Sequence, residues 1–305
     1  LYERLLAPLP PRWQQARHLV ISPDGPLAQL PFETLWQGER PLIADREISY
    51  VQSLAVHGEL KRRIAARPAG AGDRLLSLAD PSYAAPAAGA KPPPDWMAEL
   101  DWQALPGTRQ ESAALLPLFK GGSRQILGPA ASQQTLLEMQ RGRQLAEFGV
   151  LHFATHGYVD DQRSALVLSM GEGIENAYLQ DGTIAQLSLR SDLVLLSACD
   201  TGLGRSQSGE GVMGLPYAFM LAGNTDTLMS LWAVDDKGTA AFVPAFMARA
   251  RAGMDLVAAL NATKREFSSG ALGEAFRDPR IWAAFVLYGV PLRLGAGAAA
   301  PRTYP

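Results

Sequence analysis

Cysteine is almost missing from this chain: one residue of 305, Cys199. No internal disulfide can form, so the fold has no cross-linked scaffold, and a lone thiol suits a reducing cytoplasm. Histidine is scarce too, at His18, His57, His152 and His156, and with a single cysteine this leaves no credible zinc site and implies no cofactor. Charge nearly cancels at a net −2, which gives no electrostatic case for binding nucleic acid or an anionic membrane. No apolar run approaches the roughly 18 residues that a membrane-spanning helix needs. The opening Leu1-Tyr2-Glu3-Arg4 has neither an initiator methionine nor a signal-like apolar core, so a longer parent protein is expected.

What the chain does hold is core material. With 47% apolar residues it can bury roughly three quarters of its unfolded surface, enough for one large or two modest domains. The organising stretch is Asp192–Gly202, D-L-V-L-L-S-A-C-D-T-G. Its unbroken apolar run stopped by glycine suits a strand buried on both faces of a parallel sheet. Ligands bind such sheets beyond the carboxyl ends of the strands, where Cys199 falls. A second stretch, Val150–Gly157, has the same design and ends on His156 followed by Gly157.

Taken in order, residues 1–68 read as a small N-terminal lobe. It holds a short helix over 1–16, strands at His18–Ser22, Leu27–Leu35 and Ile48–Gln52, and a helix over Ser53–Arg67 whose Lys61-Arg62-Arg63 run is a solvated face. From Asp73, strand and helix alternate, which points to a parallel sheet across a main domain of residues 69–294. Strands are expected at Leu75–Ala79, Ile126–Leu127, Thr227–Trp232 and Ile281–Tyr288, and a surface loop at Asp80–Pro94. Thr108-Arg109-Gln110-Glu111 fits a capping box that opens a helix to about Phe119. Helices follow from Ser132, at Thr183–Leu187, at Gly211–Ala222 with a bend near Pro216, and at Thr239–Ala252 and Met254–Phe267. Ala165–Ser169 and Tyr178–Gln180 flank Gly171-Glu172-Gly173 as a hairpin, and residues 295–305 read as a disordered tail.

Three groups of residues carry possible chemistry. A free thiol is only a few per cent thiolate at neutral pH, so a catalytic cysteine needs an imidazole or a helix N-terminus beside it. One crossover and a hairpin separate His156 from Cys199, enough to place two strand ends side by side. Spacing leaves two readings open: a catalytic pair, or a buried cysteine and a histidine satisfied by backbone. His152 shares a face with His156 by the two-residue period, but its neighbours Leu151 and Phe153 make it a packed core histidine. Gly209-Glu210-Gly211-Val212-Met213-Gly214 spells a dinucleotide fingerprint, yet it starts too far past the strand end, so a flexible loop is the better reading. Asp235 and Asp236 precede a helix; one caps it, or one faces the cleft and selects a basic substrate residue.

Together these blocks resemble CHAT domains, caspase-like cysteine peptidases related to separase and common after tetratricopeptide repeats in bacteria. The resemblance rests on L-H-F-A-T-H-G-Y-V-D, L-V-L-L-S-A-C-D-T-G-L-G, G-E-G-V-M-G-L-P-Y-A-F-M-L-A-G, S-L-W-A-V-D-D-K-G-T-A and W-A-A-F-V-L-Y-G in that order, preceded by D-G-P-L-A-Q-L-P-F-E-T-L and L-P-G-T-R-Q-E. It runs from about His18 to Leu292.

The resemblance implies an α/β fold: a caspase-like αβα sandwich with a mostly parallel central sheet, plus the small N-terminal lobe. It also implies a cysteine endopeptidase in which Cys199 attacks the scissile carbonyl and His156 protonates the leaving amine. Backbone amides of Gly157 and Cys199 would hold the oxyanion. Asp235 and Asp236 would contact substrate, although Ala233 and Ala240 stand where separase is acidic. The implied partners are a protein or peptide substrate and an upstream tetratricopeptide-type region of the same chain, with no direct nucleic acid and no membrane. The alternative is a catalytically silent CHAT-like scaffold that binds a partner without cutting it.

Overall fold

The computed structural model describes residues 1–66, 73–83, 102–159, 164–170, 177–199 and 214–295, with backbone alone at Ala198, Cys199 and Asp236. The expected loop beyond Tyr83, the Gly171–Gly173 turn, the glycine-rich stretch Gly209–Met213 and the tail from residue 296 lie outside the described residues.

Single helical turns, α1 (Tyr2–Leu5) and α2 (Pro11–Gln14), lead into β1 (His18–Ile21). Leu27–Leu35, expected as a strand, instead forms 3₁₀ turns at Gly25–Gln29 and Phe32–Thr34. Pro26 and Pro31 have no N–H to give a ladder, and Asp24 accepts from the Gly25 amide to start the first turn. A short ribbon, β2 (Trp36–Gln37) and β3 (Arg40–Pro41), precedes β4 (Glu47–Tyr50). Ser53 caps α3 (Leu54–Ala65), accepting from the Val56 amide as an N-cap serine should.

The alternating half follows: β5 (Leu75–Pro81), α4 (Pro106–Leu115), β6 (Arg124–Gly128), α5 (Gln133–Arg141), β7 (Val150–Val159), β8 (Ser164–Val167), β9 (Tyr178–Gln180), α6 (Asp181–Ile184), β10 (Leu193–Cys199), α7 (Gly214–Leu221), β11 (Asp226–Ser230), α8 (Asp236–Arg251), α9 (Leu256–Ser268), α10 (Pro279–Trp282) and β12 (Phe285–Tyr288). Pro216 lies within α7, and the residues that precede Gly214 are outside the described ones. The last strand starts four residues later than expected because Asp278 caps α10, accepting from the Arg280 amide.

One sheet runs in the order β1-β4-β12-β11-β10-β7-β5-β6. From β11 to β6 every pairing is parallel; β12 is antiparallel to β11, and β4 and β1 continue parallel to β12. Residues 18–50 therefore extend the same sheet, joined through Tyr50 and Tyr288. Successive strand residues alternate between two cores. Leu76, Leu151, Phe153, Val194 and Leu196 pack under α5 and α7, while Leu75, Val150, Leu193 and Leu195 pack under α4, α8 and α9. Leu256, Leu260, Thr263 and Phe267, placed on one face of α9 by their spacing, are all fully buried. Among the described residues no helix is long and apolar enough to cross a membrane.

One buried ion pair fastens the N-terminal segment to α9. Lys264 of α9 donates to Glu33, and both are fully buried. The Tyr50 hydroxyl donates to the other Glu33 oxygen at 2.6 Å and accepts from the Phe32 amide. Burial pushes the Lys264 ammonium below the ordinary lysine range, and Glu33 opposes that shift. Removing one partner leaves the other charge buried and alone, which typically costs about 3–5 kcal/mol. Lys264→Met should therefore lower unfolding free energy by about that amount, and the double variant Glu33→Gln/Lys264→Met should recover much of the loss. Urea titration of the three proteins checks both outcomes.

Candidate active site

β7 and β10 are paired in parallel from Val150↔Leu193 to His156↔Cys199. Paired strands lie about 4.8 Å apart, so the register sets the sheet positions of the histidine and the cysteine side by side. β7 does not stop at His156, as the apolar run suggested. It continues to Val159 by pairing antiparallel with β8, which sets Gly157 opposite Leu166.

The His156 ring is held on several sides. Nε2 lies 2.7 Å from the Gln103 carbonyl, which can only accept, so Nε2 carries the proton. Nδ1 is buried and has no hydrogen-bond partner among the described residues. In the neutral ring that nitrogen is a bare lone pair. The rings of Trp102 and Tyr83 lie 4.9 and 5.1 Å from the imidazole. The Tyr83 hydroxyl accepts from the His156 amide at 3.3 Å and bonds the Thr155 hydroxyl at 2.7 Å, and Thr155 in turn donates to the Val167 carbonyl. Burial pushes the Tyr83 hydroxyl up to about 12. Trp102 donates through Nε1 to Tyr178, tying the same wall to β9.

Beneath the pair lies a group that sequence reasoning did not find. Thr108-Arg109-Gln110-Glu111 makes no capping box: α4 starts earlier, at Pro106, and Leu105 in the cap position has no side-chain oxygen. Thr108 donates back to the Leu105 carbonyl and accepts from the Asp80 amide. Glu111 turns inward, 2% exposed, and its Oε1 accepts from His152 Nε2 at 2.8 Å and from the Ser197 hydroxyl at 2.5 Å. His152 is indeed a satisfied core histidine, with Nδ1 on the Ser77 hydroxyl at 2.8 Å.

At the same sheet edge, Asp235 caps α8, its Oδ1 accepting from the Gly238 amide at 2.8 Å, while its side chain stays exposed. This is the helix-capping role weighed for it above. Asp236 begins the helix, and its side chain lies outside the described atoms, as does that of Cys199.

The family model for the CHAT domain matches residues 1–290. The chain belongs to the CHAT domain family. Over 232 residues this CHAT chain is 25% identical to tetratricopeptide repeat protein 28 of Homo sapiens and of Mus musculus, which is 64% of the chain and 9% of each relative. The crystal structure of the Saccharomyces cerevisiae separase–securin complex resembles it with a TM-score of 0.54 at 17% identity, covering 87% of this chain and 15% of that one. The Arg-specific cysteine proteinase gingipain R gives 0.52 at 9% identity, covering 86% of this chain and 58% of that one. The CHAT chain thus spans less than two thirds of each. At these identities the likeness is one of fold, and the fold is the caspase-like, peptidase-related α/β sandwich that the motif blocks implied.

Of the candidate site residues, the histidine, cysteine and glycine were readable as residue types at the ends of apolar runs. Gln103 was not, because it acts through its backbone carbonyl, which any residue supplies. Tyr83 and Trp102 flank a proline- and alanine-rich stretch and belong to no local motif that would mark them.

Tyr83 makes a pH dependence. A tyrosine ionises near 10 when unfolded and near 12 in this fold, so its contribution to stability is complete below pH 10 and is lost as pH rises toward 12. Tyr50, Tyr178 and Tyr288 are shifted upward by burial and act in the same direction. Urea midpoints measured between pH 8 and 12 should fall above pH 10, and Tyr83→Phe should fall less steeply across that window.

Proposed function

We propose that this CHAT domain is a cysteine endopeptidase working through His156 and Cys199. The observation that carries the reading is the register that pairs the two residues, together with the uncommitted Nδ1 of His156. With Nε2 anchored on a carbonyl, Nδ1 is the atom free to take the Cys199 thiol proton. The thiolate then attacks the scissile carbonyl carbon and a C–S bond forms. The amides of Gly157 and Cys199 stabilise the oxyanion, each donor of this kind contributing about 2.7–4 kcal/mol to barrier lowering in known cases. His156 returns its proton to the departing amine as the C–N bond breaks. Water, deprotonated by the same imidazole, hydrolyses the thioester and restores the thiol.

In this proposal Asp235 and Asp236 sit on the acyl side and favour a basic residue before the cut, with Asp235 already giving Oδ1 to the helix cap. Gingipain R is Arg-specific, which supports an acidic selector on this fold. Similarity to a tetratricopeptide repeat protein supports a repeat region upstream that regulates the domain. A reducing, cytoplasmic setting would keep the lone thiol active.

The test uses the longer parent protein, incubated with a proteome-derived peptide library and read by mass spectrometry of new N-termini. Cleavage should vanish in both Cys199→Ala and His156→Ala. Cleavage that persists in Cys199→Ala overturns the peptidase reading. An intact fold that cuts nothing, with a thiol no more reactive than a free cysteine, favours the binding scaffold instead.

A further inference from the structure

Four elements meet at Glu111, and the proposed chemistry uses none of the groups that meet there. Gln125 donates to the Ser112 hydroxyl at 3.0 Å, and Ser112 lies 2.6 Å from the Ser77 hydroxyl. Ser77 reaches His152 Nδ1, and His152 Nε2 reaches Glu111, which also accepts from Ser197. With His152 neutral, every hydroxyl in this series passes its hydrogen in one direction, from the Gln125 amide to the Glu111 carboxylate. Serine, histidine and glutamate in this order form the same constellation as a hydrolase triad. Here it is no second active site: Ser77, Ser112 and His152 are fully buried, and no substrate carbonyl can reach Ser77.

Position gives the group a different use. Ser77 belongs to β5, His152 to β7, Ser197 to β10, and Glu111 to the helix that covers them. Ser197 precedes Cys199 by two residues, and His152 precedes His156 by four. These strands are apolar on both faces, so hydrophobic alternation does little to choose their register. A slip of one residue would still bury leucine and valine, but it would swing His152 or Ser197 away from Glu111 into the apolar core beneath α5 and α7. A buried polar group placed this way fixes register, the best-attested use of such groups.

We infer that Glu111 is a positioning residue for Cys199: through Ser197 and His152 it locks β10 against β7 in the register that brings the thiol to the imidazole. This rests on the His156/Cys199 reading above. Because Cys199 is the sole cysteine, thiol chemistry on the full chain reports on that position alone.

The experiment measures the rate of Cys199 alkylation by iodoacetamide against pH for the wild type and for Ser197→Ala, Glu111→Ala and His156→Ala, well below the melting temperature of each. A misplacement of about 1 Å can cost on the order of 100-fold in a positioned reaction. Ser197→Ala and Glu111→Ala should therefore lose most of the rate near neutral pH and regain the wild-type rate near pH 10, above the roughly 8.5 at which an unassisted thiol ionises. Ser197→Thr, which keeps the hydroxyl, should restore the neutral-pH rate. A merely structural role would lower the melting temperature of these variants and leave the pH profile unchanged, and that result overturns the proposal. Should Glu111→Ala fail to fold, the Ser197 pair decides alone. If His156→Ala also leaves the profile unchanged, the dyad itself fails; if only His156→Ala changes it, the dyad stands and the positioning role falls.

Discussion

The parallel pairing of β7 with β10 is the constraint on which this molecule turns. Backbone hydrogen bonding sets the two strands about 4.8 Å apart, and their register decides which residues stand abreast at the carboxyl edge. From Leu193↔Val150 onward each pair is fixed by the one before it, and the last pair is Cys199↔His156. A change of one position anywhere along the ladder would set the histidine against another residue. Whatever holds that ladder holds the site.

Two kinds of interaction hold it, and they do different things. Apolar burial on both faces supplies most of the stability, at about 25 cal/mol for each Å² removed from water, but it is indifferent to small slips. The polar groups on Glu111 are specific because a donor buried without its acceptor costs about 1–3 kcal/mol. The same division recurs at the far side of the sheet, where Asn261 of α9 bonds both the amide and the carbonyl of Ile48 and Lys264 pairs with Glu33. In both places a helix sends polar side chains into the sheet layer and pins an element that apolar contact alone would leave free to slide.

Much of the fold was legible in the sequence because strands buried on both faces leave unbroken apolar runs. Leu193–Leu196 and Val150–Phe153 are runs of this kind, and the helices expected from Ser53 and Ser132 begin one residue later, each capped by its serine. The residue types of the proposed dyad were legible for the same reason, since each stands where such a run ends. Glu111 was misread because local chemistry and tertiary demand compete for it. A threonine followed three residues later by glutamate has the capping pattern, but the helix begins at Pro106 and leaves the glutamate for His152 and Ser197, which no local rule anticipates. Leu27–Leu35 misled for a plainer reason: its apolar residues suit a strand, while Pro31 within it and Pro26 just before it do not.

The claim at the centre is adjacency of residues 156 and 199, and a disulfide measures it directly. Neighbouring strand positions fall within the roughly 4.4–6.8 Å between Cα atoms that a disulfide spans. In His156→Cys, mild oxidation should give a monomer lighter by two hydrogens with no free thiol, and reduction should reverse it. Two thiols that stay free, or that pair only between molecules, would contradict the register and the site built on it.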